Sequence, residues 1–407
     1  MKSRGGTVTG ATAATLAAAQ TATRASACAS IQSGGTWEQV TDAVCEALIV
    51  SEPDLAVVFV DSHFAAHYGD VLRRIREATG ARHLIGCSGQ GVIGPSTEAE
   101  QEPAISVMTL DLPGVVLTPL ALVDGVDPGD LFESVEAARA EAWFVFADPT
   151  THVEHLISSV DDRAPGIPVL GGIASSRSGT AGIAVFLDDG IYSHGAVLLG
   201  ISGDVEVHAL VAQGAEPIGQ PWTLTDCESN LVKTIGARPA VDVLRETLDQ
   251  LDDETRERAQ RNLLVGLAMD EYRDEHGRGD YLIRNIIGFE RESGAIAISA
   301  VPRIGQTIQF QFRDAAAADD DLRTQLAAFR AELAPDRTVL GALLCACNGR
   351  GQSLFGVPHH DAQALTETLG ALPTAGLFCN GELGPVGGQT FLHGFTASIG
   401  LLTARSH

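Results

Sequence analysis

Two short runs place chemistry-bearing residues at matching positions. Residues 341–349 read GALLCACNG and residues 375–381 read AGLFCNG, so each is an apolar strand that ends in Cys-Asn-Gly. The terminal cysteines, Cys347 and Cys379, stand 32 residues apart. Asn tolerates left-handed backbone angles and Gly adopts them freely, so Asn348 and Asn380 force a sharp exit from each strand. The next charge is Arg350 in one copy and Glu382 in the other, at a strand end where loops build binding sites. Arg284 (beside Asn285), Arg303 and Arg313 also sit in apolar strand motifs, where an unpaired buried charge is costly. One reading is a carboxylate-binding cleft in which Arg clamps an α-carboxylate bidentately while Glu382 accepts an ammonium. The competing reading is structural pairing, such as Arg350 with Glu382 across neighbouring strand ends.

The thiols allow a second chemistry. Cys87, Cys347 and Cys379 each end a strand, and a nucleophilic cysteine needs a nearby base, for which His393 or His359 would serve. Cys is among the most buried residue types and more often packs as a small hydrophobe, which favours that role here. No close CxxC pair exists for zinc. His63 and His67 are one helical turn apart, the spacing of a ligand pair for metal or haem iron, but His63 equally suits a helix start after Asp61 and Ser62. The Gly-rich stretch 381–388 lacks the Gly-Lys-Ser/Thr ending of a phosphate loop, and Glu382 would repel phosphate.

The elements that hold these residues alternate between strand and helix. Residues 55–60 (LAVVFV) form a continuous apolar run that reads as a buried strand, with similar runs at 83–87, 145–147, 168–171 and 339–345. Residues 306–313 alternate, with Ile308, Phe310 and Phe312 on one face. Residues 196–202 and 204–213 read as a hairpin across Gly203. Helices are expected after Asp319–Asp321, over 241–261, and after Asp361 as a cap. Strands joined by tight turns outnumber helices, which points to a mixed α+β fold with largely antiparallel sheets covered by helices. Gly and Pro cluster at 215–240, so the expected organisation is a low-complexity, disordered tail (1–28), one domain over 29–236 and a second over 237–407. The strand-to-turn pattern recurs more loosely at 83–89 (HLIGCSG, with Cys87 and Ser88) and 169–175 (VLGGIAS), which suggests two duplicated halves facing one cleft.

Composition bounds the partners. The 407 residues carry 27 Lys+Arg against 52 Asp+Glu, a net charge of −25, which argues against nucleic acid or an anionic membrane surface. The longest apolar runs are strand length, so no membrane insertion is expected. Seven irregularly spaced cysteines fit a reducing cytoplasm. Residues 1–37 contain Lys2, Arg4 and Arg24 but no acid before Glu38, a pattern superficially like a transit peptide and read here as an unstructured extension.

A long ordered series of motifs resembles the FIST family, with its paired N-terminal and C-terminal domains. The series comprises Gly86-Cys87-Ser88, 171–175 (GGIAS), 195–200 (GAVLLG), 213–217 (QGAEP), 236–239 (GARP) and 279–285 (GDYLIRN). It continues through 303–307 (RIGQT), 312–314 (FRD), 347–351 (CNGRG), 379–388 (CNGELGPVGG) and 391–394 (FLHG), spanning about residues 25–404. Any one piece is weak; the series is not. The resemblance implies a non-catalytic intracellular sensory module for small ligands, amino acids among them, working with partners such as histidine kinases or chemoreceptors. It also implies, as an alternative, haem-linked nitric-oxide sensing. The expected site is Arg284, Asn285, Arg313, Asn348, Arg350, Cys379, Asn380 and Glu382, with Cys87 and Ser88, and it requires no cofactor.

Overall fold

The computed structural model describes residues 13–18, 25–48, 52–123, 132, 139–271, 273 and 275–405. It is a mixed α+β structure, as the strand-rich pattern predicts. The organising feature is threefold rather than twofold. In each third an outer strand is followed by two parallel strands joined through a helix, then by a hairpin, then by an antiparallel return strand. The parallel pairs are Leu55–Asp61 with His83–Gly89, Ala142–Ala147 with Val169–Ile173, and Val339–Cys347 with Thr374–Cys379.

The hairpins are exchanged in a cycle. The hairpin of the first third pairs with Thr374–Cys379, that of the second with His83–Gly89, and that of the third with Val169–Ile173. Equivalent backbone bonds fasten each exchange: Ser88 N–H to the Ala184 carbonyl (2.9 Å), Ile173 N–H to Gly381 (2.8 Å) and Phe378 N–H to Gly91 (3.0 Å). One glycine per third makes this packing feasible. A Cβ on Gly86, Gly171 or Gly376 would lie 1.7, 1.9 or 2.0 Å from the carbonyl oxygen of Val58, Val145 or Leu344 on the adjoining parallel strand.

The inner faces of the three sheets share one apolar core that includes Phe59, Cys87, Phe146, Leu343, Leu377 and Cys379. Phe59 and Phe146 meet edge to face at 5.2 Å between ring centroids. Strands with both faces covered read as unbroken apolar runs, which is why Leu55–Asp61 is buried throughout. Helices Tyr68–Thr79, Val153–Arg163, Ala315–Glu332 and His360–Leu369 cover the outer faces.

Between the outer strand of the last third, Val205–Gln213, and helix Ala315–Glu332 the chain inserts a separate antiparallel unit. Thr307–Arg313 pairs with both Leu263–Ala268 and Trp222–Glu228, and the remaining pairings close these strands into a small barrel. Its core contains Ile308, Phe310 and Phe312, the face expected from their alternation.

Several expectations change. The two strands flanking Gly203 are not a hairpin: Ala196–Gly203 pairs with Val115–Leu122 and Ala142–Ala147, while Val205–Gln213 pairs with Thr396–Ala404 in another sheet. A positive φ at Gly203 redirects the chain between sheets, and apolar patterning cannot distinguish that from a tight turn. The single helix over 241–261 is two, Ala240–Asp249 and Asp253–Arg261, because the Asp252 side chain caps a new start by accepting from Thr255 N–H. Asp319–Asp321 lie inside helix Ala315–Glu332, whose cap is Asp314. The dividing point at 236/237 falls in a turn of the barrel between Leu231–Ile235 and Arg238–Pro239, which pair. Of the expected tail, residues 1–12 and 19–24 lie outside the described residues, while Ala13–Ala18 and Ser26–Ser33 pair as antiparallel strands. Among the described residues, no helix is long and apolar enough to cross a membrane.

Candidate functional site

The two Cys-Asn-Gly exits stand side by side because their strands run parallel with Cys347 opposite Cys379. Asn348 donates from Nδ2 to Asn380 Oδ1 (2.8 Å), and Asn380 donates from Nδ2 to the Ala174 carbonyl (2.9 Å). Ser175 ties in the first third: its hydroxyl donates to the Phe378 carbonyl (2.5 Å) and accepts from Gln90 N–H (2.8 Å). Strand ends from all three thirds therefore meet here.

Beneath this junction lies a charged cluster. Arg350 is 0% exposed and bonds Asp361 bidentately, Nε to Oδ2 at 2.6 Å and Nη2 to Oδ1 at 2.9 Å. Its guanidinium also lies 5.2 Å from the Phe355 ring centroid, and Phe355 stacks on His360. Burial pushes the Asp361 carboxyl up, but the Arg350 charge and a bond with His360 bring it down to about 2. Burial likewise opposes the Arg350 charge, and Asp361 outweighs it. The competing reading, structural pairing, therefore holds for Arg350, but with Asp361 and not with Glu382 as its partner. Glu382, fully buried, instead accepts from Thr396 N–H (3.1 Å), Thr396 Oγ1 (2.8 Å) and Cys379 Sγ (3.4 Å). Burial lifts its carboxyl to about 7.

Arg313 reaches this place from the barrel. It donates to the Gly349 carbonyl and packs over the Phe395 ring at 5.1 Å, and burial lowers its pKa. Three polar atoms here have no hydrogen-bond partner among the described residues: Arg313 Nε, Arg350 Nη1 and Asn348 Oδ1. Two are donors on cations and the third is an acceptor.

Of the ten expected residues, Arg313, Asn348, Arg350, Cys379, Asn380 and Glu382 come together. Cys87 and Ser88 are wholly buried; Ser88 donates to the Ser175 carbonyl (3.2 Å) and accepts from Ala184 N–H (3.1 Å), so it holds the strand junction and faces no cleft. Arg284 donates to the neighbouring Ile283 carbonyl; burial lowers its pKa against the opposing charge of Glu154, and its own charge acts on His393, which stands opposite Glu382 in the hairpin. Asn285 is exposed on a barrel strand bonded to Ser299, and Arg303 pairs with Glu271 at the surface. Two further residues, Asp361 and Ser175, belong to this junction. Asp361 was legible only as a helix cap, and Ser175 only as part of a Gly-rich run.

The thiols are held protonated. Burial pushes Cys347 up to about 12 and, with the Glu382 charge, raises Cys379 well above its ordinary value. His393 bonds the Gly384 carbonyl, and burial lowers it to about 4; His359 accepts from Glu98 N–H. Among the described residues, neither histidine hydrogen-bonds to a cysteine. His63 Nδ1 bonds Asp61 Oδ1 at 2.8 Å, and the His67 ring stacks on Trp37 at 4.9 Å between centroids. No cluster of three metal-ligating side chains occurs among the described residues.

The chain matches the FIST N domain over residues 54–238 and the FIST C domain over residues 240–385, and it belongs to the FIST family. It is 36% identical over 359 residues to the uncharacterized protein Rv0628c of Mycobacterium tuberculosis, covering 88% of this chain and 93% of the relative. It is 35% identical over 358 residues to the uncharacterized protein Mb0898c of Mycobacterium bovis, covering 86% and 90%. Domains of this family are associated with small-ligand sensory signalling and are generally sensory rather than enzymatic.

Proposed function

We propose that this FIST-family chain is a cytoplasmic sensor for an amino acid or a small carboxylate, bound where the two Cys-Asn-Gly exits meet. One observation carries the reading: Arg313 Nε, Arg350 Nη1 and Asn348 Oδ1 are buried at one junction and have no hydrogen-bond partner among the described residues. A buried polar atom left unpaired costs about 1–3 kcal/mol, so a ligand that satisfies these atoms recovers energy the apo protein forgoes. Two cationic donors and one acceptor match a carboxylate beside an ammonium. Arg313, only partly buried, makes the first contact; Arg350, already clamped by Asp361, supplies fixed positive charge from below. Binding reads out through a signalling partner such as a histidine kinase or chemoreceptor, because the junction joins all three sheets and the barrel.

The test is a thermal-shift screen of amino acids and small carboxylates against wild type and Arg313→Ala. A ligand at about a hundred times its Kd should stabilise by about 2.7 kcal/mol. Arg313→Ala should lose that shift. If no compound stabilises the wild type, or if the variant responds equally, the site assignment is wrong.

A further inference from the structure

We propose that the acidic pocket between the exchanged hairpin 92–99 and the start of helix His360–Leu369 binds a small organic cation, a primary ammonium, through the Glu98 carboxylate. The pocket has a volume of about 180 Å³ and is bordered by Glu98, Glu100 and Glu102, with Ser33, Pro358 and His359 among its walls. No lysine or arginine borders it. Glu98 is only 4% exposed. Its Oε1 accepts from Ala362 N–H at 2.9 Å, while Oε2 has no partner among the described residues. Once Glu98 is ionised, an oxygen buried in that state calls for a donor, and an ammonium brings three.

The surroundings hold Glu98 in place. His359 adopts a left-handed φ of 63°, unusual for a residue with a side chain, and its Nδ1 accepts from Glu98 N–H at 3.0 Å. Glu102 accepts from the Ser33 hydroxyl at 3.1 Å and Glu100 from Gln352 N–H at 2.8 Å. Each acid is thus committed on one side and retains acceptor capacity on the other. No three of these groups are arranged to hold a metal ion, so the chemistry favours an organic ammonium. The groups facing Glu98 are the Asp361 and Glu100 carboxylates and the His359 ring. Burial, reinforced by Asp361, lifts its carboxyl to about 8. Capturing a cation therefore releases a proton, and affinity rises with pH.

The experiment titrates the full chain with ethanolamine or putrescine hydrochloride, with sodium chloride at matched ionic strength and with magnesium or calcium chloride, following thermal stability and calorimetric heat. The ammonium salts should raise Tm with dose, more at pH 8.5 than at pH 6.5. Glu98→Gln should weaken binding about tenfold or more, the effect of losing one charge-assisted bond. Glu102→Gln, the second variant, should weaken it less, and Arg313→Ala should leave it intact, which separates this site from the carboxylate site. The proposal is overturned if sodium chloride reproduces the shift, if only the divalent ions produce one, or if both glutamate variants respond like wild type.

Discussion

Replacing Asp361 by Asn removes one charge from the most deeply buried ion pair of the site and alters little else in shape. Arg350 and Asp361 are 0% and 1% exposed, and both oxygens of the carboxylate are engaged at 2.6 and 2.9 Å. The fall of the Asp361 pKa from 3.8 to about 2 amounts to roughly 2 kcal/mol of preferential stabilisation of the charged form. The larger loss is what remains behind: a guanidinium buried without its counter-ion, typically about 3–5 kcal/mol. Glu382 is the next carboxylate felt by Arg350, and Thr396 and Cys379 already occupy it. Urea denaturation at pH 7 should therefore show Asp361→Asn destabilised by about 3–5 kcal/mol. The double variant Arg350→Met/Asp361→Leu, which removes both charges, should recover most of that loss. A single-variant loss under about 1 kcal/mol, or a double variant as unstable as the single, would refute the assignment of Asp361 as the obligatory counter-ion.

Stability should also fall as pH rises through neutrality. Glu382 and Glu98 have folded-state pKa values raised from 4.5 to about 7 and about 8, so their contribution is complete below pH 4.5 and is lost as pH climbs through those values. A Tm profile from pH 5 to 9 should decline by the equivalent of up to about 7 kcal/mol, and Glu98→Gln with Glu382→Gln should flatten most of it. A flat wild-type profile would contradict this. Alanine at Gly86, Gly171 or Gly376 places a Cβ within 2.0 Å of a backbone carbonyl and should cost at least about 3 kcal/mol at each, whereas Gly288→Ala, with nothing within 4 Å, should stay within about 1 kcal/mol. Unequal tolerance among the three glycines, read by denaturation midpoints, would argue against their equivalence.

What the sequence disclosed follows from the range of each signal. The apolar runs at Leu55–Asp61 and Val339–Cys347 and the paired Asn-Gly exits were legible because burial and turn chemistry act over a few residues. The six residues that converge are recognisable as charge, amide and thiol at strand ends. Their partners are not. Asp361 is eleven positions beyond Arg350, and only folding determines whether it or Glu382 lies against the guanidinium. The threefold cycle was hidden for a related reason. The second third delays its hairpin strand until Val185–Leu187, the last third has the barrel inserted, and each hairpin pairs outside its own third. Repetition in space survives such insertions, whereas repetition in sequence spacing does not.

The symmetry also explains why the charged junction occupies one vertex. Alignment on the three glycines and the strands beside them puts Asp61 and Asp148 at the position of Cys347. Asp61 accepts from His63 N–H at 2.9 Å and pairs with Arg177 at 3.2 Å. Asp148 accepts from Thr150 N–H at 2.8 Å and Gly195 N–H at 2.7 Å. At two vertices, then, an acid is consumed by nearby donors and the strand end is closed. At the third a protonated thiol replaces the acid and takes up no donor charge, while Arg313 and Arg350 bring more donors than Asp361 and the Gly349 carbonyl satisfy. The frame that three equivalent strand pairs build has its strand-end acid satisfied at two corners, and at the remaining one it carries an excess of buried donors over acceptors among the described residues.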